Sequence, residues 1–71
     1  MLTERIVMVD TVHQSIVVEH HDDELVSFVV RLTGRPDRPR KRRIVARFEG
    51  ETAWSDAERR GYDEALVVRH G

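Results

Sequence analysis

The sequence predicts an α+β fold: a small antiparallel β-sheet of three to four strands, connected as a meander, with one C-terminal helix packed on one face. Three observations predict it. Eleven valines and three isoleucines in 71 residues favour extended chain, because β-branched side chains pack well on a pleated surface and lose rotamer freedom in a helix. Residues alternate with a period of two in Leu25 to Leu32 and again in Arg43 to Glu49, as a strand requires. After Gly50 the pattern changes: Ser55 and Glu58 have the S-x-x-E spacing of a capping box, and Asp56 and Glu58 place negative charge where a first helical turn favours it.

In chain order, Arg5 to Val9 and Ser15 to Glu19 are the first two strands, joined across Thr11 to Gln14. Both are apolar on both faces, Ile6 and Met8 opposing Val7 and Val9, and Ile16 and Val18 opposing Val17. One helix covers only one side of a sheet, so the pattern predicts a homodimer or a bound complex that covers the other. The strand Leu25 to Leu32 sets Val26, Phe28, Val30 and Leu32 against Ser27, Val29 and Arg31, and the Phe28 face is expected in the core. Arg43 to Glu49 sets Ile44, Ala46 and Phe48 against Arg43, Val45 and Arg47, and should pair with its predecessor as a hairpin. Pro36 and Pro39 have no N–H to give a ladder, so the stretch around them is a projecting loop. The helix begins near Ser55 with a stripe of Trp54, Ala57, Gly61 with Tyr62, Ala65 and Val68. Small residues at intervals of four let it approach the sheet closely. Leu66 to Arg69 has an alternative reading as a short last strand.

A chain of 71 residues allows one domain, 1–71. In this size range a single core supplies only about 3–5 kcal/mol, so reinforcement by self-association or a partner is expected. There is no cysteine, which excludes disulfides and cysteine-based metal or redox sites and fits a reducing compartment. The longest apolar runs, Ile6 to Val9 and Ala65 to Val68, fall far short of the roughly 18 residues a membrane span needs. Glu4, Arg5 and Asp10 interrupt the apolar stretch that a signal peptide would require. The expected setting is cytoplasmic, without membrane contact.

The strongest functional signal is the segment Gly34 to Arg43, which holds six of the twelve basic residues: Arg35, Arg38, Arg40, Lys41, Arg42 and Arg43. With Asp37 the segment carries +5, leaving −6 on the other 61 residues and −1 overall. The molecule is therefore bipolar. The bland reading is a solvated hairpin tip. The functional readings are docking on an acidic protein surface and contact with nucleic-acid phosphates. The shortage of aromatic platforms (Phe28, Phe48, Trp54 and Tyr62 only) and the negative remainder place a protein partner ahead of a nucleic acid. No helix-turn-helix, zinc-finger or RNP-type pattern is present.

Glu19 to Glu24 (EHHDDE) contains ligand types for zinc, nickel or manganese. Neighbours in a strand point to opposite faces, so His20 and His21 do not converge, and His13 or His70 would have to arrive from elsewhere. No metal or other cofactor is expected. Glu19, Asp22, Asp23 and Glu24 instead form a secondary acidic patch. Serines and histidines supply the residue types of a nucleophile and base, yet no nucleophile elbow, phosphate loop or paired-carboxylate motif surrounds them, and no catalytic residue is assigned. The predicted function is that of a small non-enzymatic binding protein that docks a macromolecular partner through the arginine-rich loop. Phages and mobile elements use proteins of this size and character, anti-CRISPR proteins among them, to inhibit host nucleic-acid machinery; no shared motif underlies that analogy. The alternative is a DNA- or RNA-binding protein using the same loop.

Overall fold

The computed structural model describes residues 1–70. Four strands, β1 (Glu4–Asp10), β2 (Gln14–His21), β3 (Val26–Thr33) and β4 (Lys41–Glu49), precede one helix, α1 (Ala53–His70). The strands pair antiparallel in the order β1-β2-β3-β4, as a meander. Thr11 closes the β1–β2 turn: its N–H donates to the Gln14 carbonyl at 2.9 Å, and its hydroxyl accepts from the Gln14 N–H at 3.0 Å. A short 3₁₀ turn, Asp22–Glu24, joins β2 to β3 and ends on Leu25 in the left-handed region, φ 49°. Leu25 is therefore outside the strand.

The helix covers the sheet face that carries Ile16 and Val18 of β2 and Val29 of β3, with Ala57 and Val68 closing the core from above. Ile16 and Val29 are fully buried, a burial that contributes roughly 1.5–3 kcal/mol for a side chain of that kind. This corrects the expected assignment of β3. Val18 pairs with Val29 and Val17 with Val30, so Ser27, Val29 and Arg31 lie on the helix side and the Phe28 face lies on the open side. Alternation shows which residues share a face, and with valine on both faces it does not show which face the helix takes.

Both edge strands carry a bulge, and this also moves residues from their expected sides. In β4 the register jumps from Val29–Ala46 to Val30–Ile44, so Val45 is the extra residue. Ile44 consequently joins Arg47 on the open face, and Arg43 joins Ala46 and Phe48 on the helix side. In β1 the jump falls between Val7 and Val9, and Met8 and Val9 both pack against the core. The freed Met8 carbonyl accepts from the Arg69 guanidinium at 3.1 Å. Bulges at sheet edges disrupt further strand pairing.

The helix starts two residues before Ser55. Gly50, φ 94°, reverses the chain, the Ala53 N–H donates to the Gly50 carbonyl, and the Thr52 carbonyl accepts the first helical bond from Asp56. Thr52, not Ser55, thus stands at the cap, and the S-x-x-E pair lies inside the helix. The buried stripe is Ala53, Ala57, Gly61, Ala65 and Val68; Tyr62 is exposed, and Leu66 to Arg69 is helical. No helix among the described residues is long and apolar enough to cross a membrane.

Candidate binding surface at the basic end

The loop between β3 and β4 leaves the sheet through Gly34, φ 113°, whose N–H donates to the His13 carbonyl of the β1–β2 turn at 2.9 Å. Beyond it the pleat sorts the six basic residues by side. Thr33 faces Lys41 and Arg31 faces Arg43, placing both cations on the helix side, whereas Leu32 faces Arg42 on the open side.

Two of the six are fastened to the protein. The Arg40 side chain is 12% exposed and folds back over the open face, donating to the Ser15 hydroxyl, the Thr11 carbonyl at 2.8 Å and the Asp10 carboxylate at 3.4 Å. The Ser15 hydroxyl, and then Arg40, hold the Asp10 carboxyl below its ordinary value. Arg42 pairs with Glu19. Glu19 faces Phe28 and Arg42 faces Leu32, so their ion pair bridges β2 and β4 across the intervening Val30. That bridge helps to explain why Val30 and Val17 are 0% and 1% exposed on a face that no helix covers. A second copy is not needed to bury Val17, which corrects the reasoning from doubly apolar strands at that position; Val7, at 55%, remains open. Arg40 is also removed from the freely solvated tip that the sequence suggested, and Arg42, half exposed, is held by its ion pair.

The other four, Arg35, Arg38, Lys41 and Arg43, are exposed, and among the described residues their side chains have no hydrogen-bond or ion-pair partner. They form the basic end. The expected acidic patch divides. Glu19 is buried under Arg42 in mid-sheet, while Asp22, Asp23 and Glu24 sit in the 3₁₀ turn at the opposite end of β3, about 23 Å away at the rise of an eight-residue strand. The Met1 ammonium lies 3.2 Å from Asp23 and, through that hydrogen bond, lowers the Asp23 carboxyl. Exposed Glu49 and Glu51 stand at the same end. The bipolar composition is a bipolar shape.

His20, Ser27 and Asp22 make an arrangement that resembles hydrolytic machinery in residue type. His20 Nδ1 is 2.7 Å from Ser27 Oγ, Nε2 is 3.4 Å from Asp22, and the Trp54 ring packs on the imidazole at 4.5 Å. Ser27 is 0% exposed beneath the helix, so no substrate carbonyl reaches its oxygen; the bond satisfies two buried polar groups. His21 points to the other face and meets Phe28 edge-on at 5.4 Å. No three His, Cys, Asp or Glu side chains among the described residues gather as metal ligands.

Arg31, Arg60 and Glu64 are the residues that sequence reasoning passed over. Glu64 accepts from Arg31 at 3.2 Å and from Arg60 at 3.1 Å, beside Arg43 in a groove of about 280 Å³. The (i, i+4) spacing of Arg60 and Glu64 was a visible signal; the arrival of Arg31 and Arg43 from two strands was not. No protein family, curated protein or solved structure matches the chain.

Proposed function

We propose that the chain is a small non-enzymatic binding protein whose basic end docks on an acidic surface of a protein partner. The observation that carries this reading is the charge partition: four unpaired cations at one end of the sheet, with carboxylates at the other. Such a separation orients an approaching molecule and rejects wrongly charged partners. The aromatic side chains favour protein over single-stranded nucleic acid. Trp54 packs on His20, Phe28 on His21 and Phe48 against the core, and the exposed Tyr62 is carried by α1, so the basic loop itself holds no stacking platform. The role that fits is inhibition of host nucleic-acid machinery by a phage or mobile element, in a reducing cytoplasm. The second reading, direct DNA or RNA binding, rests on the same four cations.

Capture from nuclease-treated host lysate tests the proposal. Wild-type protein should retain a protein partner, and the variant with Arg35, Arg38, Lys41 and Arg43 all replaced by alanine should lose it while melting at the same temperature. Recovery that disappears with nuclease favours the second reading.

The proposal includes self-association. Val7 and Ile44, 55% and 47% exposed on the open face, are the apolar positions that a second copy would cover. Light scattering is expected to give a dimer at micromolar concentration, weakened by Val7→Asp with secondary structure retained. A strictly monomeric wild type at high concentration would remove this part of the account.

A further inference from the structure

α1 leaves the end of β4 and finishes over the β1 bulge, where Arg69 holds the Met8 carbonyl. Its path leaves part of the helix side of β3 and β4 uncovered, and the groove there is lined by Arg31, Arg43, Val45, Arg60 and Glu64. Three guanidinium groups surround one carboxylate, for a local charge of about +2. Glu64 is already divided, one oxygen accepting from Arg31 and the other from Arg60. Arg43 faces Arg31 directly across the ladder, and like charges directly opposite are destabilising; Glu64 pairs with Arg31 and not with Arg43. Among the described residues Arg43 has no partner, and the buried Nε of Arg31 has none either.

We infer that Arg31, Arg43 and Arg60 form a site for one terminal phosphate group, either inorganic phosphate or a phosphomonoester. A phosphomonoester carries a charge of about −1.5 to −2 near neutral pH and three acceptor oxygens, which matches both the charge of the groove and its surplus of N–H donors. The arginine fork suits such oxygens. At about 280 Å³ the groove falls below the roughly 300–1,000 Å³ of sites for drug-sized ligands, so it accommodates a phosphoryl group and a short stem. The two sources of this chemistry are free phosphate and a phosphorylated side chain. The inference shares Arg43 with the docking proposal, whereas Arg31 and Arg60 belong to the groove alone, so Arg60→Gln tests the groove and Arg35→Ala with Arg38→Ala tests the docking end separately.

Titration of the full chain, followed by the Nε–Hε signals of its arginines in NMR, tests the site. Inorganic phosphate should shift the Arg31 and Arg43 signals saturably, whereas chloride and acetate at matched ionic strength should not. A phosphoserine peptide that binds more tightly than inorganic phosphate, with its unphosphorylated form silent, identifies a protein-borne group; equal or weaker binding identifies the free anion. Arg43→Gln and Arg60→Gln should each weaken phosphate binding about tenfold, the scale of one charge-assisted hydrogen bond. The Arg35→Ala, Arg38→Ala double variant should leave it unchanged even where macromolecular docking is lost. The site is overturned if acetate produces the same shifts, if a phosphodiester dinucleotide binds as well as the monoester, or if Arg43→Gln and Arg60→Gln titrate like the wild type.

Discussion

Gly61→Ala is expected to destabilise the fold by about 1–3 kcal/mol, although an alanine in a helix is ordinarily worth about 1 kcal/mol more than glycine. The sign follows from how closely α1 approaches the sheet. A Cβ on Gly61 would lie 2.7 Å from Val18 Cγ2 and 3.3 Å from Met8 Cγ. Met8 is flexible and can yield; Val18 is 2% exposed and β-branched, with little rotamer freedom, so relief requires the helix or β2 to move. Urea denaturation should show a lower midpoint with an unchanged slope. In the double variant Gly61→Ala, Val18→Ala the loss should be smaller than the sum of the two single losses, because removing the Val18 methyls removes the collision. A midpoint raised by Gly61→Ala would show that the helix sits farther from the sheet than described.

Arginines two residues apart should differ sharply in what their removal costs. Arg40→Ala removes a guanidinium that ties the β3–β4 loop to Asp10, Ser15 and the Thr11 carbonyl, and should cost about 1–3 kcal/mol, the usual range for a hydrogen-bonded charge withdrawn from partly buried acceptors. Arg38→Ala, at an exposed position without a side-chain partner among the described residues, should change stability by no more than about 0.5 kcal/mol. Thermal melts of the two variants check this. Equal small losses would return Arg40 to the solvated tip.

The contrast marks where the sequence stops being informative. The antiparallel meander, the β3–β4 hairpin and the C-terminal helix were legible because they depend on local periodicity and on Pro36, Pro39 and Gly50. The faces were not: valine on both sides of β3 hid which side the helix takes, and in β4 a single extra residue at Val45 turns Arg43 toward the helix and Ile44 away from it. The helix start was misplaced because Ser55–Glu58 and Thr52 are competing caps, and the turn at Gly50 decides between them. At the site, the concentration of positive charge was legible in Gly34 to Arg43. The assignment of Arg40 to Ser15 and of Arg42 to Glu19 was not, since each depends on register across an intervening strand. The groove was hidden for the same reason: Arg31, Arg43 and Arg60 are remote in sequence and meet only when β3, β4 and α1 are assembled.

The central claim is that the free cations of the basic end meet carboxylates on a protein and not phosphates on a nucleic acid. Fluorescence anisotropy of duplex DNA titrated with the protein across a range of salt concentrations tests it most directly. At about 0.15 M salt, where the Debye length is roughly 8 Å, the account predicts negligible affinity, equal for the wild type and for the variant lacking Arg35, Arg38, Lys41 and Arg43. Measurable binding whose logarithm falls with log salt by about 0.9 per phosphate contact, with a shallower slope in the variant, would contradict it.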